Sequence, residues 1–149
     1  MTAKVAQGCV WVQRVVSLKA RSRGCHYISE EINRAVPEIK NYAVGVMHLC
    51  LQHTSASICL NECWDKEVLD DTEMALSKMV PQSWSYSHSY EGPDDMPAHI
   101  KTALVGVSVS VPITDGKMNL GTWQGLWLCE HRDRAGARRV VVTIQGAQK

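Results

Sequence analysis

The amino-acid sequence predicts an α+β fold in which mostly antiparallel strands combine with about three helices. Segments with the valine-rich, loosely alternating pattern typical of strands occur near both ends of the chain. Capped segments with helical character lie between them, and the dipeptide Asp115-Gly116 is the strongest hairpin signal in the sequence. The 149 residues show no internal repeat or linker and are long enough to bury a core, which predicts a single domain at residues 1–149.

The first half of the chain predicts three strands and one helix. Ser29 is expected to cap a short helix at residues 30–36, because two glutamates follow it in the first turn and Pro37 ends the helical pattern. A turn at residues 21–24 separates this helix from the first strand. The strands, which are rich in aliphatic residues, are expected at residues 9–18, 42–51 and 54–61.

The second half predicts two further helices and a series of short strands. Asp65 is expected to cap a helix that continues to about Met79. Asp94 or Asp95 can cap a third helix, since Pro97 would then lie in its first turn, where a missing N–H costs little. The remaining strands are expected at residues 108–113, 117–120, 125–130 and 138–144.

The predicted helices are too short to cover every strand, so we expect part of the sheet surface to be buried between subunits. The net charge of +1 provides no basic footprint for nucleic acid or for an anionic membrane. No apolar run approaches the length of a membrane span, and the first eight residues lack the hydrophobic core of a signal peptide. The expected location is therefore the cytoplasm, without a nucleic-acid or membrane partner.

The segment at residues 86–99 has an unusual density of titratable side chains. His99 would lie near the start of the third helix, whose positive end disfavours an imidazolium and leaves a neutral ring suited to metal ligation. The alternative is an acidic loop with a helix cap and two solvated histidines, which the absence of the usual i, i+4 histidine spacing favours. The titratable residues of the segment, apart from its tyrosines, are His88, Glu91, Asp94, Asp95 and His99.

Two other polar clusters lie at the edges of apolar strands. The hydroxyls of Thr54 and Ser55 beside His53 could bind phosphate or support a metal ligand, whereas the alternative is a strand edge that faces solvent. Trp123 and Gln124, between two glycines, offer a stacking face and an amide. Their alternative is a β-bulge with a core tryptophan.

An arginine-rich run follows the strand predicted at residues 125–130. Guanidinium groups can grip a phosphate or a carboxylate bidentately, so Arg132 is a candidate ligand-binding residue. The alternative is a solvated turn, which is the usual meaning of such a run. Its arginines are Arg132, Arg134, Arg138 and Arg139.

Taken together, four segments resemble the YjbQ-like family, an uncharacterised protein family to which a secondary thiamine-phosphate synthase activity is ascribed. The resemblance covers almost the whole chain and is most specific in its second half. It implies a compact α+β domain assembled as a homotrimer, with polar clefts near the subunit boundaries. The segments read HTSASICLNE, EGPDDMPAHIKTALVGVSVSVPI, LGTWQGLWLCEHR and RRVVVTIQG.

The resemblance also implies a site. It places a metal, expected to be a divalent ion such as zinc or magnesium, at His88 and His99, with His53 facing the same cleft. The family's pattern further implies that the pocket is completed by Glu62, Glu91, Trp123 and Gln124. The sequence departs from some members at EHRDRAGARR, where they carry an acidic, proline-containing turn.

Three functions compete on this basis. The first is a metal-dependent hydrolase or lyase in which Glu62 or Glu91 acts as general base. The second is a thiamine-phosphate synthase that joins an aminopyrimidine diphosphate to a thiazole phosphate and releases pyrophosphate. The third is a non-enzymatic trimer that binds its ligand without turnover. In each case the expected ligand is a small phosphorylated or anionic molecule.

Overall fold

The computed structural model describes residues 5–149, so the first four residues of the predicted domain lie outside the described residues. It confirms an α+β fold with antiparallel sheets and three α-helices. The helices are α1 (Ser29–Ala35), α2 (Lys66–Met79) and α3 (Asp95–Val105), and a 3₁₀ helix occupies Pro37–Asn41. The strands are β1 (Val10–Leu18), β2 (Gly24–Tyr27), β3 (Tyr42–Leu51), β4 (Ala56–Glu62), β5 (Ser108–Thr114), β6 (Lys117–Met118), β7 (Gln124–Glu130) and β8 (Arg138–Gln148).

The strands form two antiparallel sheets that share one hydrophobic core. The larger sheet has the order β1-β8-β3-β5-β6, and the smaller one has the order β2-β7-β4. Apolar side chains of both sheets and of α1 belong to one buried cluster, whereas a second cluster packs α2 against the smaller sheet. The smaller sheet therefore lies between the larger sheet and the helices α2 and α3. Buried members of the two clusters include Met47, Leu49, Ile58, Leu128, Ile144 and, in the second cluster, Leu69 and Trp127.

The outer face of the larger sheet carries exposed apolar side chains. Trp11 and Val15 of β1 and Val46 of β3 are exposed there. The register aligns Trp11 with Gln145 and Gln145 with Val46, so these residues form a row across three strands. No helix in the described part of the chain covers this face, in agreement with the expectation that short helices leave sheet surface free. Within residues 5–149, no helix combines the length and the apolar character that crossing a bilayer requires.

Two local signals in the sequence are confirmed. The carboxylate of Asp65 accepts a hydrogen bond from the Glu67 amide at 2.9 Å, so Asp65 caps α2. Asp115 and Gly116 both have positive φ, at 52° and 81°, and join β5 to β6. A two-residue hairpin needs this left-handed backbone to match the twist of its strands, which explains why the Asp-Gly pair was informative.

Two expected helix-cap hydrogen bonds do not form, and one short strand was missed. Ser29 does not cap α1, because its hydroxyl accepts a hydrogen bond from the Leu126 amide of β7 at 2.8 Å. Asp94 occupies the N-cap position of α3 without bonding to a helix N–H, because arginine and amide donors from the loop after β7 occupy its carboxylate. The short strand β2 was not predicted, since four residues carry little periodicity and pairing with β7 defines the strand. In all three cases a partner distant in sequence overrides the local pattern.

Two glycines allow β3 and β8 to approach closely beside an irregularity in their pairing. Gly45 lies opposite Gly146. A Cβ atom added to Gly146 would be 2.2 Å from the Val44 carbonyl oxygen, and one added to Gly45 would be 2.4 Å from the Gln145 carbonyl oxygen. Both obstacles are backbone atoms, so a side chain cannot be accommodated by changing a rotamer.

We therefore expect Gly146→Ala to lower the free energy of unfolding by about 1–3 kcal/mol, the usual cost of overpacking. Gly136→Ala is the matched control, because a Cβ atom there meets nothing within 4 Å. Its effect should stay within about 0.5 kcal/mol. Urea denaturation of both variants measures the difference, and equal stabilities would contradict the close approach of these strands.

Candidate functional site

Three side chains converge at the start of α3. The Nε2 atom of His88 is 2.7 Å from Oδ2 of Asp95, and the Nε2 atom of His99 is 3.4 Å from the same oxygen. One ligand atom of each residue lies within 4.8 Å of the others. Asp95 is 1% exposed, whereas the side chains of His88 and His99 are 45% and 31% exposed. The cluster thus consists of a buried carboxylate and two imidazoles that reach solvent.

Helical spacing and one backbone carbonyl orient His99. Asp95 and His99 are four residues apart on α3, so their side chains share one face of the helix. The Nδ1 atom of His99 donates to the Thr54 carbonyl at 2.8 Å, because a carbonyl oxygen can only accept. In the neutral ring this leaves the lone pair on Nε2, which points toward Asp95 and His88. Metal-binding histidines are commonly oriented by such a bond on the second nitrogen.

Arg132 contacts the acidic residues at and beside the cluster. Its Nη1 donates to Oδ1 of Asp95, its Nε donates to Oδ2 of Asp94 at 2.9 Å, and its Nη2 donates to the Glu91 carbonyl at 2.8 Å. Burial opposes ionisation of Asp94, but the Asp133 amide and Arg132 outweigh it and lower the pKa of Asp94. Because Oδ1 of Asp95 is taken by Arg132, Oδ2 is the oxygen that faces the histidines.

A cleft of about 640 Å³ lies beside the cluster. It contains the predicted residues His53 and Thr54 together with His99, and its other walls are mostly apolar. The Nε2 atom of His53 accepts a hydrogen bond from the Arg139 amide at 2.8 Å. Burial, with Arg138 and Arg139 nearby, lowers the pKa of His53, so the ring is neutral. His53 would have to release the Arg139 amide before this nitrogen could accept a proton.

The predicted residue Ser55 belongs to a buried ion pair next to this cleft. Arg138 contacts Glu130 bidentately, with Nε to Oε2 at 2.7 Å and Nη2 to Oε1 at 2.6 Å, and its Nη2 also donates to the Ser55 hydroxyl at 3.1 Å. Glu130 is fully buried. The arginine run is therefore only partly a solvated turn, since Arg132 and Arg138 are paired and largely buried while Arg134 and Arg139 are exposed.

The other predicted residues lie at the opposite end of the smaller sheet. Glu62 is the last residue of β4 and pairs with Gln124, the first residue of β7. Six steps of about 3.3 Å along β4 put Glu62 about 20 Å from Ala56, the end of the strand near His99. Within one chain, Glu62, Trp123 and Gln124 therefore form a group separate from His88 and His99.

The contacts of this second group are not those of side chains in a buried pocket. Trp123 is 56% exposed and meets Trp64 edge to face, with ring centroids 5.6 Å apart. Gln124 accepts a hydrogen bond from the Gly121 amide at 2.8 Å. The tryptophan that fills the core is Trp127, not Trp123.

Several residues of the site were not singled out by the sequence. Asp95 was considered as a helix cap and as one of several carboxylates that could contact a metal, but it was not paired with His99, although the i, i+4 spacing within DMPAH is a detectable sign of a shared helix face. Glu130 belongs to the polar run that the sequence indicated, but its pairing with Arg138 and the role of the Thr54 carbonyl depend on partners brought close by folding. The same holds for His131, whose Nε2 lies 2.8 Å from the hydroxyl of buried Ser57.

The fold and these contacts define an α+β protein with a candidate centre of two histidines and one aspartate. Residues 14–147 match the model of the family described as UPF0047 protein YjbQ-like. The chain belongs to this UPF0047 family. It is 44% identical over 137 residues to the UPF0047 protein YjbQ of Escherichia coli O157:H7, covering 92% of this chain and 99% of that protein.

Other relatives agree with this family and fold. The UPF0047 protein sll1880 of Synechocystis is 38% identical over 135 residues, covering 90% of this chain and 91% of the relative. A crystal structure of a YjbQ/UPF0047 protein from Clostridium acetobutylicum superposes with a TM-score of 0.68 at 30% identity, covering 90% of this chain and 97% of that one. A YbjQ-like protein of unknown function from Sulfolobus solfataricus has a TM-score of 0.77 at 23% identity, covering 93% and 98%, and so shares the fold.

The contacts of Arg132 predict a large cost for its removal. Arg132→Ala would leave two largely buried carboxylates, Asp94 and Asp95, without their cation, so we expect the free energy of unfolding to fall by about 3 kcal/mol. Arg14→Ala is the matched control, because its ion pair with Glu38 is exposed and should contribute far less. Urea denaturation at neutral pH distinguishes the two, and similar small losses would show that Arg132 does not stabilise this centre.

His131 predicts a pH dependence of stability. Burial, reinforced by nearby Lys101, Arg138 and Arg23, lowers the pKa of His131 to about 3. The unfolded chain has a histidine pKa of about 6.5 and so takes up a proton at a higher pH than the folded protein does. Stability therefore falls as the pH drops below about 6.5, and the contribution of His131 to this loss is about 2 kcal/mol between about pH 7 and pH 5.

His131→Gln removes the titrating group while keeping a polar atom near Ser57. We expect its free energy of unfolding to fall less than that of the wild type over the same pH range. His26→Gln serves as control, because His26 is only half-buried and its Nε2 contacts the Ser22 carbonyl. Parallel pH profiles for all three proteins would contradict a buried neutral His131.

Proposed function

We propose that this protein is a small-molecule enzyme whose divalent metal ion binds to His88, Asp95 and His99. The observation that carries the proposal is the convergence of two imidazole nitrogens and one carboxylate oxygen within 4.8 Å. The donor Nδ1–H of His99 is already engaged by Thr54, so its free nitrogen is the one directed at the cluster. A pair of solvated histidines would not require this arrangement.

The residues fit such an ion in number and type. At a ligand distance of about 2.1 Å, two ligands of a tetrahedral ion lie about 3.4 Å apart, which matches the separation of His99 and Asp95. His88 lies closer to Asp95 and would have to move outward by several tenths of an ångström. Two imidazoles favour zinc over magnesium. When bound, such an ion would supply Lewis-acid activation of water or of a substrate oxygen.

The protein's own groups suit a small anionic substrate beside this centre. The cleft at His53 and Thr54 opens next to His99 and is large enough for a small metabolite. Glu91 lies at the rim, with its carboxylate 3.6 Å from Nη1 of Arg132, and is the candidate general base within the same chain. Arg132 orients Asp95. Because carboxylates already engage most of its guanidinium, only the remaining part could contact a phosphate directly.

A homotrimer is the second part of the proposal. The exposed row of Trp11, Gln145 and Val46 on an uncovered sheet face supports association with other copies. Glu62 lies about 20 Å along β4 from Ala56. Trp123 and Gln124 lie beside Glu62, so a shared pocket would need these residues from a neighbouring copy. In that arrangement Trp123 would offer a stacking face to the heterocycle of a thiamine-phosphate synthase substrate. We place this reaction second to metal-dependent hydrolysis or elimination of another substrate.

Metal analysis tests the proposal directly. Protein purified without added metal should contain about one divalent ion per chain, and Zn²⁺ should raise the melting temperature of a chelator-treated sample. Asp95→Asn and His99→Ala should lose both effects, whereas the control His26→Ala, remote from the cluster, should keep them. Wild-type protein with no bound metal and no thermal shift would refute the metal centre.

Turnover is tested separately with an aminopyrimidine diphosphate and a thiazole phosphate. Product formation by the wild type that is lost in His99→Ala would support thiamine-phosphate synthase activity. Equal turnover in both proteins would exclude it, without bearing on metal binding.

One observation favours the alternative of a non-enzymatic trimer that binds a small anionic ligand. The basic nitrogen of His53 and most of the Arg132 guanidinium are engaged by protein groups, which suits binding better than proton transfer. If this alternative is correct, a metabolite should raise the melting temperature of the protein. The metabolite itself should remain unchanged on prolonged incubation.

A further inference from the structure

A group of cysteines lies in the smaller sheet, with Cys129 next to Glu130 at one end of β7. Cys25 of β2 and Cys129 of β7 are buried free thiols, and their Sγ atoms are 3.5 Å apart. Cys59 of β4 is half-buried and packs in the same cluster as Cys25 and Cys129. None of the three contributes to the cluster at His88 and His99, so the proposed function leaves these thiols unexplained.

The register of β2 and β7 places two of these thiols where a disulfide fits. Cys25 lies directly opposite Cys129. The Ile28 amide donates to the Leu126 carbonyl at 2.9 Å, which makes Ile28 and Leu126 a hydrogen-bonded pair. Such pairs alternate with non-hydrogen-bonded pairs along an antiparallel ladder, so the pair three residues earlier, Cys25 and Cys129, is of the second kind. Non-hydrogen-bonded pairs have Cα atoms about 4.5 Å apart, within the range that a disulfide spans.

The third thiol is less well placed for a covalent bond. Cys129 lies opposite Ser57 on β4, and Cys59 lies opposite Trp127. Cys59 and Cys129 are therefore diagonal neighbours, whose Cα atoms are typically about 7–8 Å apart. That separation exceeds what a disulfide normally spans. The geometry thus selects the bond between Cys25 and Cys129.

Of the two thiols that face each other, Cys25 is the more accessible to a reagent. It is 6% exposed and lies in a cleft of about 510 Å³, whereas Cys129 is 1% exposed. Hydrogen bonds with Cys25 and Cys59, together with burial, raise the pKa of Cys129, so this thiol stays protonated until its neighbour reacts. Charged residues lining the cleft are Arg21, Arg23, Lys66 and Asp70. Arg21 pairs with Glu31, and Arg23 pairs with Glu73 and Asp133, so Lys66 is the cation of this lining that is left to meet an anionic reagent.

We propose that Cys25 and Cys129 form a reversible disulfide by exchange with a small anionic disulfide that enters this cleft. The Cys25 sulfur attacks one sulfur of the small disulfide, and the first small thiolate leaves. Cys129 then attacks Cys25 in the mixed disulfide and displaces the second small thiolate. The two protein thiols are oxidised, the small disulfide is reduced to two thiols, and the two protons pass from the protein to those thiols.

The bond would join two strands whose continuation leads to the candidate metal site. Cys129 precedes Glu130, which pairs with Arg138 and accepts the Arg132 amide at 3.1 Å. Cys129 is thus only three residues before Arg132, the arginine that contacts Asp95. The disulfide site itself does not depend on a metal or on any turnover at that centre.

The experiment uses the full chain with Cys9→Ser and Cys63→Ser, which removes the two exposed thiols. After incubation with oxidised glutathione under native conditions, the intact mass should decrease by two hydrogen atoms, and peptide mapping should link Cys25 to Cys129. Dithiothreitol should restore the original mass. A link between other cysteines, or a reaction that occurs only in denaturant, would overturn the proposal.

Single variants in the same background test the order of the steps. Cys129→Ser should accumulate the mixed disulfide of glutathione on Cys25, because the resolving thiol is missing. Cys25→Ser should form neither the mixed disulfide nor the internal link. Far-UV circular dichroism and a cooperative melt show that each variant is folded, and Cys25→Ala replaces Cys25→Ser if the serine variant is not. Glutathione attached first to Cys129 or Cys59 would contradict the assigned roles.

Lys66→Glu tests the charge preference. The rate with oxidised glutathione should fall several-fold, whereas the rate with the uncharged 2-hydroxyethyl disulfide should remain the same. Equal rates for the two reagents in both proteins would overturn the anionic character of the reagent.

Discussion

The contact of Arg132 with two adjacent carboxylates is the interaction on which the candidate site depends. Asp94 and Asp95 lie together at the start of α3, largely withdrawn from water, and two neighbouring anions there would repel each other. The guanidinium supplies the opposing charge and ties the loop after β7 to the first turn of α3. It also decides which oxygen of Asp95 faces the histidines.

Three groups of functional side chains lie at different positions along the smaller sheet. Near Ala56 and Glu130 it presents the cleft and the histidine–aspartate cluster. Near Glu62 and Gln124 it presents an exposed tryptophan and an amide, and next to Glu130 it buries two adjacent thiols. Because β-strands have a fixed rise, side chains at opposite ends of β4 cannot meet within one chain. A pocket that used both ends would therefore need side chains from a second copy of the chain.

Much of the fold could be predicted, because the signals involved are local. The strand at residues 42–51 was predicted with its observed bounds, since a long apolar run has few other interpretations. Asp65 and the Asp115-Gly116 pair were recognised because a cap and a hairpin turn are formed by residues next to one another. Ser29 was misinterpreted because its hydroxyl bonds to Leu126, which is 97 positions away in the chain.

The sequence by itself determined the fold class, the order of most elements and the family, and it singled out His88 and His99 as the histidines to examine. Only the tertiary structure decided that Asp95 joins them, that the Thr54 carbonyl orients His99, and that Glu62, Trp123 and Gln124 lie elsewhere in the chain. The physical reason is the range of the interactions. Periodicity and capping depend on neighbours within a few residues, whereas a polar site is formed by side chains from elements that meet only after the two sheets have packed.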